Sequence, residues 1–172
     1  MDILKNEILA VMDIVDVAVG IDKFTYPMYV NAKRPEGNYA AVRCASSKNP
    51  GFDSQRVVSN PDDSDCLLFI TEGIRILTFD VLFSREGDEV VKFDNAFYRP
   101  DVHAVMAKHK FAALNKYPTE LKNISLETNW EIRTGITVEF NVIRKDISKV
   151  DEMTNAKVSG IFVDDNKINV GI

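Results

Sequence analysis

The clearest pattern along the chain is an alternation of apolar and polar positions at residues 129–146, NWEIRTGITVEFNVIRKD. From Trp130 to Val142 every second residue is apolar or a threonine, and Glu131 and Arg133 lie on the polar side near the start. A period of two is typical of a strand with one buried face. We therefore predict a long strand here, whose apolar face packs against the rest of the fold.

Several shorter runs have the composition of strands and are separated by turn-forming residues. Gly73 lies between two of them as a bulge or tight connection, and an Asp-Asp-Asn turn at 164–166 folds the last two into a hairpin. The predicted strands are 28–32, 39–46, 55–59, 66–72, 74–84, 123–127 and the two arms of 157–172.

Two stretches have apolar residues at helical spacing. The first, 2–16, predicts an amphipathic helix that ends near Gly20. The second, 100–116, starts with a proline, which is favoured at the first helical position. Its apolar residues, Phe111 and Leu114 among them, do not form one stripe. We expect such a helix to lie deep in the fold or to be partly covered by another subunit.

The order of these elements is helix, strands, helix, strands. That order predicts an α+β fold, a mostly antiparallel β-sheet with two α-helices packed on one face. With 172 residues, 45% of them hydrophobic and 27% charged, the chain is expected to form a single domain over 1–172. No apolar run approaches the ~20 residues that a membrane-spanning helix needs, and the acidic N-terminal stretch lacks a basic leader.

Charge and cysteine content exclude some functions. The formal net charge is −5 and the lysines and arginines are scattered, which argues against a protein that grips nucleic acid through its phosphates. Cys44 and Cys66 both fall in strand-like runs, and we interpret them as small buried side chains.

No motif for catalysis or metal binding occurs. His103 and His109 are six residues apart on a predicted helix, so their rings would not converge as a metal pair. The acidic stretch at 60–65, NPDDSD, lacks the alternating aspartates of a calcium loop. No nucleophile elbow, phosphate loop or dinucleotide fingerprint is present. We therefore predict no enzyme, no cofactor and no metal site.

Three stretches nevertheless resemble a known family, the tail terminator or neck terminator proteins of tailed bacteriophages. They are YAAVRCASS at 39–47, IRILTFDVLFSREGDE at 74–89 with the helix after it, and TNWEIRTGITVEFNVIRKD at 128–146 followed by KVSGIFV at 157–163. The loop 147–156 and the tail after residue 163 are longer than is usual in the family.

The resemblance implies a structural virion protein, made in the bacterial cytoplasm, that acts by shape. Such proteins form a ring, commonly of six subunits, on the head-proximal end of the tail tube. The ring stops tube polymerisation and joins tail to head. The implied partners are further copies of the chain, the tail-tube protein, a head-completion or connector protein and, in a contractile tail, the sheath protein. DNA would pass through the ring without specific binding, and no membrane is involved.

Five residues are candidates for the subunit or tube interface: Trp130, Glu131, Arg133, Phe111 and Leu114. Core packing is the alternative for Trp130, and an ordinary surface charge is the alternative for Arg133. A wall poor in positive charge would repel DNA, so the acidic stretches 60–65 and 85–89 are candidates to face the lumen. Other readings stay open: another neck component, a tail-tube subunit, or a small enzyme whose site is spread over loops.

Overall fold

The computed structural model describes the backbone of residues 4–28, 35–63, 66–84, 88–119, 124–126, 129–131, 133–151, 157–161 and 167–171. Side chains are described within 4–28, 35–63, 66–84, 88–118 and 134–150.

Three helices and ten strands make up this part of the chain, which confirms the predicted α+β class. The helices are α1 (Lys5–Val19), α2 (Asp88–Ala96) and α3 (Pro100–Lys108). The strands are β1 (Thr25–Pro27), β2 (Ala40–Lys48), β3 (Ser54–Ser59), β4 (Cys66–Ser84), β5 (Phe111–Thr119), β6 (Ile124–Leu126), β7 (Asn129–Glu131), β8 (Arg133–Asp151), β9 (Lys157–Ile161) and β10 (Lys167–Gly171).

Six of the strands form the main sheet, in the order β1-β2-β4-β8-β5, with β3 also paired to β4. The pairs β2–β4, β3–β4 and β5–β8 are antiparallel, whereas β1 runs parallel to β2. Two separate antiparallel pairs, β6–β7 and β9–β10, complete the described strands. The second of these is the predicted C-terminal hairpin, whose 164–166 turn lies outside the described residues.

The chain divides into two compact units. The first contains Met1–Phe52 and Gly73–Arg144, and the second contains Asp53–Glu72 and Lys145–Ile172. The long strands β4 and β8, each of 19 residues, contribute to both units.

The core of the first unit lies between the three helices and one face of the sheet. Alternate residues of β4 and β8 are buried on that face, as the period of two predicts. They are Leu77, Phe79, Val81, Phe83, Ile136, Val138, Phe140 and Val142. Residues at helical spacing on α1, together with Phe93 of α2 and Val102 and Met106 of α3, pack onto them.

Aromatic rings form a connected series through this core. Phe140 contacts Phe79, Phe97 and Phe111, with ring centroids 5.2 to 6.2 Å apart. Phe97 continues to Phe93 at 5.7 Å. Tilted and edge-to-face pairs at these distances add to the free energy gained by burying the rings.

The end of α1 is as the sequence predicts. Gly20 has φ +78°, and its N–H donates to the Asp16 carbonyl at 2.8 Å. This left-handed conformation favours glycine, because a side chain would strain the backbone there. At the other end, the Leu4 N–H donates to Oε2 of Glu7 at 3.0 Å.

The prediction of one helix over 100–116 is wrong. The helix α3 ends at Lys108, Lys110 adopts φ +61°, and the following residues form β5 along the edge of the sheet. β5 pairs with β8 from Phe111↔Val142 to Thr119↔Gly135. Pairing satisfies backbone groups of β8, so tertiary context overrides the modest helix propensity of this segment.

Two further predictions about local structure need correction. Gly73 does not separate two strands, because β4 runs through it from Cys66 to Ser84. Asp88 and Glu89 of the acidic stretch 85–89 begin a third helix, α2, where the sequence predicted only two, and residues 85–87 lie outside the described residues. The first predicted strand, 28–32, lies mostly outside the described residues; β1 ends just before it.

We expect Phe140→Ala to lower the free energy of unfolding by about 3–5 kcal/mol, because the ring is fully buried among three other phenylalanines. Chemical denaturation followed by circular dichroism measures this change. Ile143→Ala on the same strand is the control, since 66% of Ile143 is exposed and the loss there should stay within about 0.5 kcal/mol. Similar losses for both variants would contradict the assigned core.

Candidate functional site

The interface candidates fall in different parts of the fold. Trp130 and Glu131 lie in β7, and Arg133 begins β8; their side chains are outside the described residues, so their roles stay predictions. Phe111 is only 7% exposed and packs on Phe79 and Phe140, which leaves it little surface for a partner. Leu114 is 42% exposed, and it is the extra residue at a bulge in β5.

A network of polar side chains crosses the sheet at Asp80. Arg43 of β2 donates from Nε and Nη2 to Oδ2 of Asp80, at 2.8 and 2.6 Å. Thr137 of β8 donates its hydroxyl to Oδ1 at 2.9 Å. Asp80 is 6% exposed, so its charge is largely removed from water and depends on these partners. The network therefore ties three neighbouring strands together.

A second group of polar side chains lies two residues from Asp80 and Thr137 along β4 and β8, and it extends to β5. Glu139 of β8 accepts hydrogen bonds from Thr78 and Asn115, both at 3.4 Å, and from the hydroxyl of Tyr117. The hydrogen bond to Glu139 raises the pKa of Tyr117 to about 12, and the same bond lowers the pKa of Glu139. At neutral pH the tyrosine is therefore a protonated donor and the glutamate an ionised acceptor.

A buried ion pair joins the first helix to the last residue of the first unit. Arg144 donates from Nε to Oε1 of Glu7 at 2.9 Å and from Nη2 to Oε2 at 2.7 Å. The two side chains are 15% and 9% exposed. A bidentate pair of this kind fixes orientation as well as distance, so it holds the start of α1 against β8.

Cys44 lies close enough to this ion pair for the charges of Glu7 and Arg144 to affect its pKa. Burial raises its pKa to about 11, with a smaller contribution from the negative charge of Glu7. At neutral pH the side chain is a thiol, which is a poor nucleophile compared with a thiolate. Cys66, in the second unit, is also a free thiol and accepts a hydrogen bond from Nδ2 of Asn60 at 3.1 Å.

The two histidines do not form a site together. Nε2 of His109 lies 2.9 Å from Oδ2 of Asp13, which links the end of α3 to α1. His103 instead contacts the ring of Tyr98, with centroids 6.1 Å apart. Within the side chains that the structure describes, no three His, Cys, Asp or Glu residues cluster as a metal site.

These polar groups are bound to one another within the fold. Asp80, Glu139 and Glu7 are each held by donors from neighbouring elements. Tyr117 and Cys44 have pKa values raised far above neutral pH.

The sequence did not reveal these pairs. Glu7 and Arg144 are separated by 137 positions, and Arg43 and Asp80 by 37. One available signal was a charged residue inside a strand of otherwise apolar composition, which describes Asp80 in FDVLF. A buried charge needs a partner, but the sequence does not say which residue supplies it.

Residues 60–63 of the acidic stretch form a turn in the second unit, and residues 64 and 65 lie outside the described residues. Oδ1 of Asn60 accepts the N–H of Asp62 at 3.1 Å, and Oδ2 of Asp63 lies 3.7 Å from Nζ of Lys149. Asp62 and Asp63 are both exposed.

Comparison with known proteins gives one clear result. The family model described as phage neck terminator protein matches residues 7–166 of the chain's 172. No curated protein matches the chain. No helix in the described part of the chain is long and apolar enough to cross a membrane.

We expect Arg144→Met to lower the free energy of unfolding by about 3–5 kcal/mol, because it leaves the charge of Glu7 buried without its partner. The double variant Glu7→Met with Arg144→Met should lose less than the sum of the two single changes. Urea denaturation measures all three. Arg56→Met is the control, since the Arg56–Glu72 pair is exposed and should contribute at most about 1 kcal/mol. Additive losses would rule out the assigned pairing.

The Tyr117–Glu139 bond predicts a dependence on high pH. A tyrosine pKa raised from 10.0 to about 12 contributes stability below pH 10 that is lost as the pH rises toward 12. Glu139→Gln should move the titration of Tyr117 back toward its ordinary value. Tyrosinate absorbance in the native protein measures this shift. Tyr98→Phe removes a different phenol hydroxyl and should leave the high-pH step unchanged, whereas Tyr117→Phe should abolish it.

Proposed function

The chain belongs to the phage neck terminator family, and on that premise we propose that it caps the head-proximal end of a tail tube as a closed ring. The ring stops addition of further tube subunits and offers its opposite surface to the head. The protein is thus a structural component of the virion neck, made in the cytoplasm of the host bacterium.

The observation that carries this proposal is the extent of the family match. Residues 7–166 include segments of both compact units, so the resemblance is not confined to one shared strand pattern. A family of structural neck proteins supports a role in assembly.

The side-chain geometry supports a protein without catalytic activity. In the described residues the buried carboxylates are bound to arginine or hydroxyl groups from neighbouring elements. Removing one partner of such a pair strongly lowers the free energy of unfolding, so the pairs hold the elements in place. We propose that rigidity is what these groups supply, since a cap must keep one shape while tube and head proteins bind to it.

The net charge supports passage of DNA without binding. With a net charge of −5, the chain repels the phosphate backbone on average. We propose that DNA crosses the ring without base or phosphate contacts that hold it. The proposed partners are further copies of the chain, the tube protein and a head-completion or connector protein, with the sheath protein added in a contractile tail.

The test is tube growth with purified components. Tube subunits from the same phage should polymerise to lengths that no longer increase once the chain is added, and electron microscopy with a labelled chain should place it at one end of each tube. The chain alone should form single rings or remain unassembled until a tube end is present.

Other results would assign the chain elsewhere. Open-ended cylinders of the chain alone would identify a tube subunit, and binding to heads but not to tubes would identify a head-completion protein. The control is a variant whose core is disrupted, Phe140→Ala, which should not cap if the folded shape is what the tube end recognises.

A further inference from the structure

The strand β3 lies at an edge of the sheet in the part of the chain that the structure describes. In the described part of the chain it is bonded to β4 on one side only. All six of its residues are exposed, none is proline, glycine or lysine, and its one charged residue, Arg56, pairs with Glu72 of β4 at 3.5 Å. Natural proteins normally protect such edges with proline, lysine, bulges or a covering element. An edge left open in this way is suited to pair with another strand.

The side chains of β3 also favour a partner. Val57 is 54% exposed and Val58 is 36% exposed, and they point to opposite faces because they are adjacent on a strand. Their cross-strand neighbours, Phe69 and Leu68, are only half-buried. Apolar groups therefore line both faces of this edge, and an added strand would cover part of each.

The strand β5, in the first unit, is the last strand in the order of the main sheet. Of its nine residues, the bulge at Leu114, Lys116 and Pro118 protect the second half, so an added strand would pair first with the stretch 111–113, next to Lys110. Leu114 and Tyr117, 42% and 40% exposed, add apolar surface beside it. The third edge, β1, has three residues and ends in Pro27, which makes it a poor partner.

Charged residues at the ends of β3 and β5 favour one relative direction of the two strands. β3 is followed by the exposed acidic residues Asp62 and Asp63, and β5 is preceded by the exposed basic residues Lys108 and Lys110. In an antiparallel arrangement the end of one strand lies beside the start of the other. The acidic turn of one molecule would then lie near the two lysines of another.

We propose that β3 of one copy adds antiparallel to β5 of the next copy, with Asp62 beside Lys110 of that copy. This inference rests on the proposed ring function and names the contact that builds the ring. The two edges differ, so the contact is heterologous and each copy retains one free edge of each kind until the ring closes. It also assigns the acidic turn to the subunit contact instead of the lumen.

The first test is a charge exchange. Asp62→Lys and Lys110→Glu should each raise the concentration at which half of the chains are in rings by about fivefold or more at low salt. The double variant, which restores opposite charges in exchanged positions, should return to within about twofold of the original chain. Lys92→Glu on α2 is the matched control and should assemble normally. Native mass and negative-stain imaging, alone and with capped tubes, measure assembly.

A second variant tests the strand edge itself. Val57→Lys places a charge on the edge and should abolish rings while leaving thermal unfolding of the monomer unchanged. Val91→Lys on α2 alters a residue of similar exposure, 56% against 54%, and should have no effect on assembly.

The outcomes separate the inference from the proposed function. Rings that form equally well from every variant would overturn the strand contact and leave the ring function intact. Intact rings of Val57→Lys that no longer bind tubes would also overturn it, because β3 would then contact the tube protein. No rings from the original chain, either alone or on tube ends, would overturn both.

Discussion

Burial of one face of the main sheet beneath three helices is the constraint on which the rest of the first unit depends. Phe79 and Phe140 are fully buried at its centre, on neighbouring strands that extend into the second unit as well. Because the apolar side chains must alternate toward the helices, the intervening residues are forced onto the opposite face. The position of the polar network is therefore a consequence of the core.

That polar network specifies how the strands and the first helix are arranged. Asp80 is held by Arg43 and Thr137, and Glu7 by Arg144, so each buried carboxylate is neutralised by groups on other strands or helices. Such interactions specify one arrangement of elements, because a shifted strand would leave a charge buried without a partner. For a protein proposed to work as a cap, a single fixed shape is the useful property.

Much of the fold followed from local patterns. Alternation predicted the inward residues of β4 and β8, Gly20 marked the end of α1, and Pro100 marked the start of α3. The helix predicted over 109–116 is a strand for a physical reason. Alanine, leucine and lysine favour a helix there, but the backbone of β8 would lack hydrogen-bond partners on that side if β5 did not pair with it. The interface candidates were only partly resolved: Leu114 is on the surface, whereas Phe111 is in the core.

The sequence by itself determined the fold class, the main strands and the family, because these depend on periodicity and on residues close together along the chain. The tertiary structure alone decided which charges meet, where α3 ends and β5 begins, and which strands of the described part of the chain lie at an edge. These depend on contacts between residues as far apart as Glu7 and Arg144, and a single sequence does not record which distant partners compete for the same hydrogen bonds.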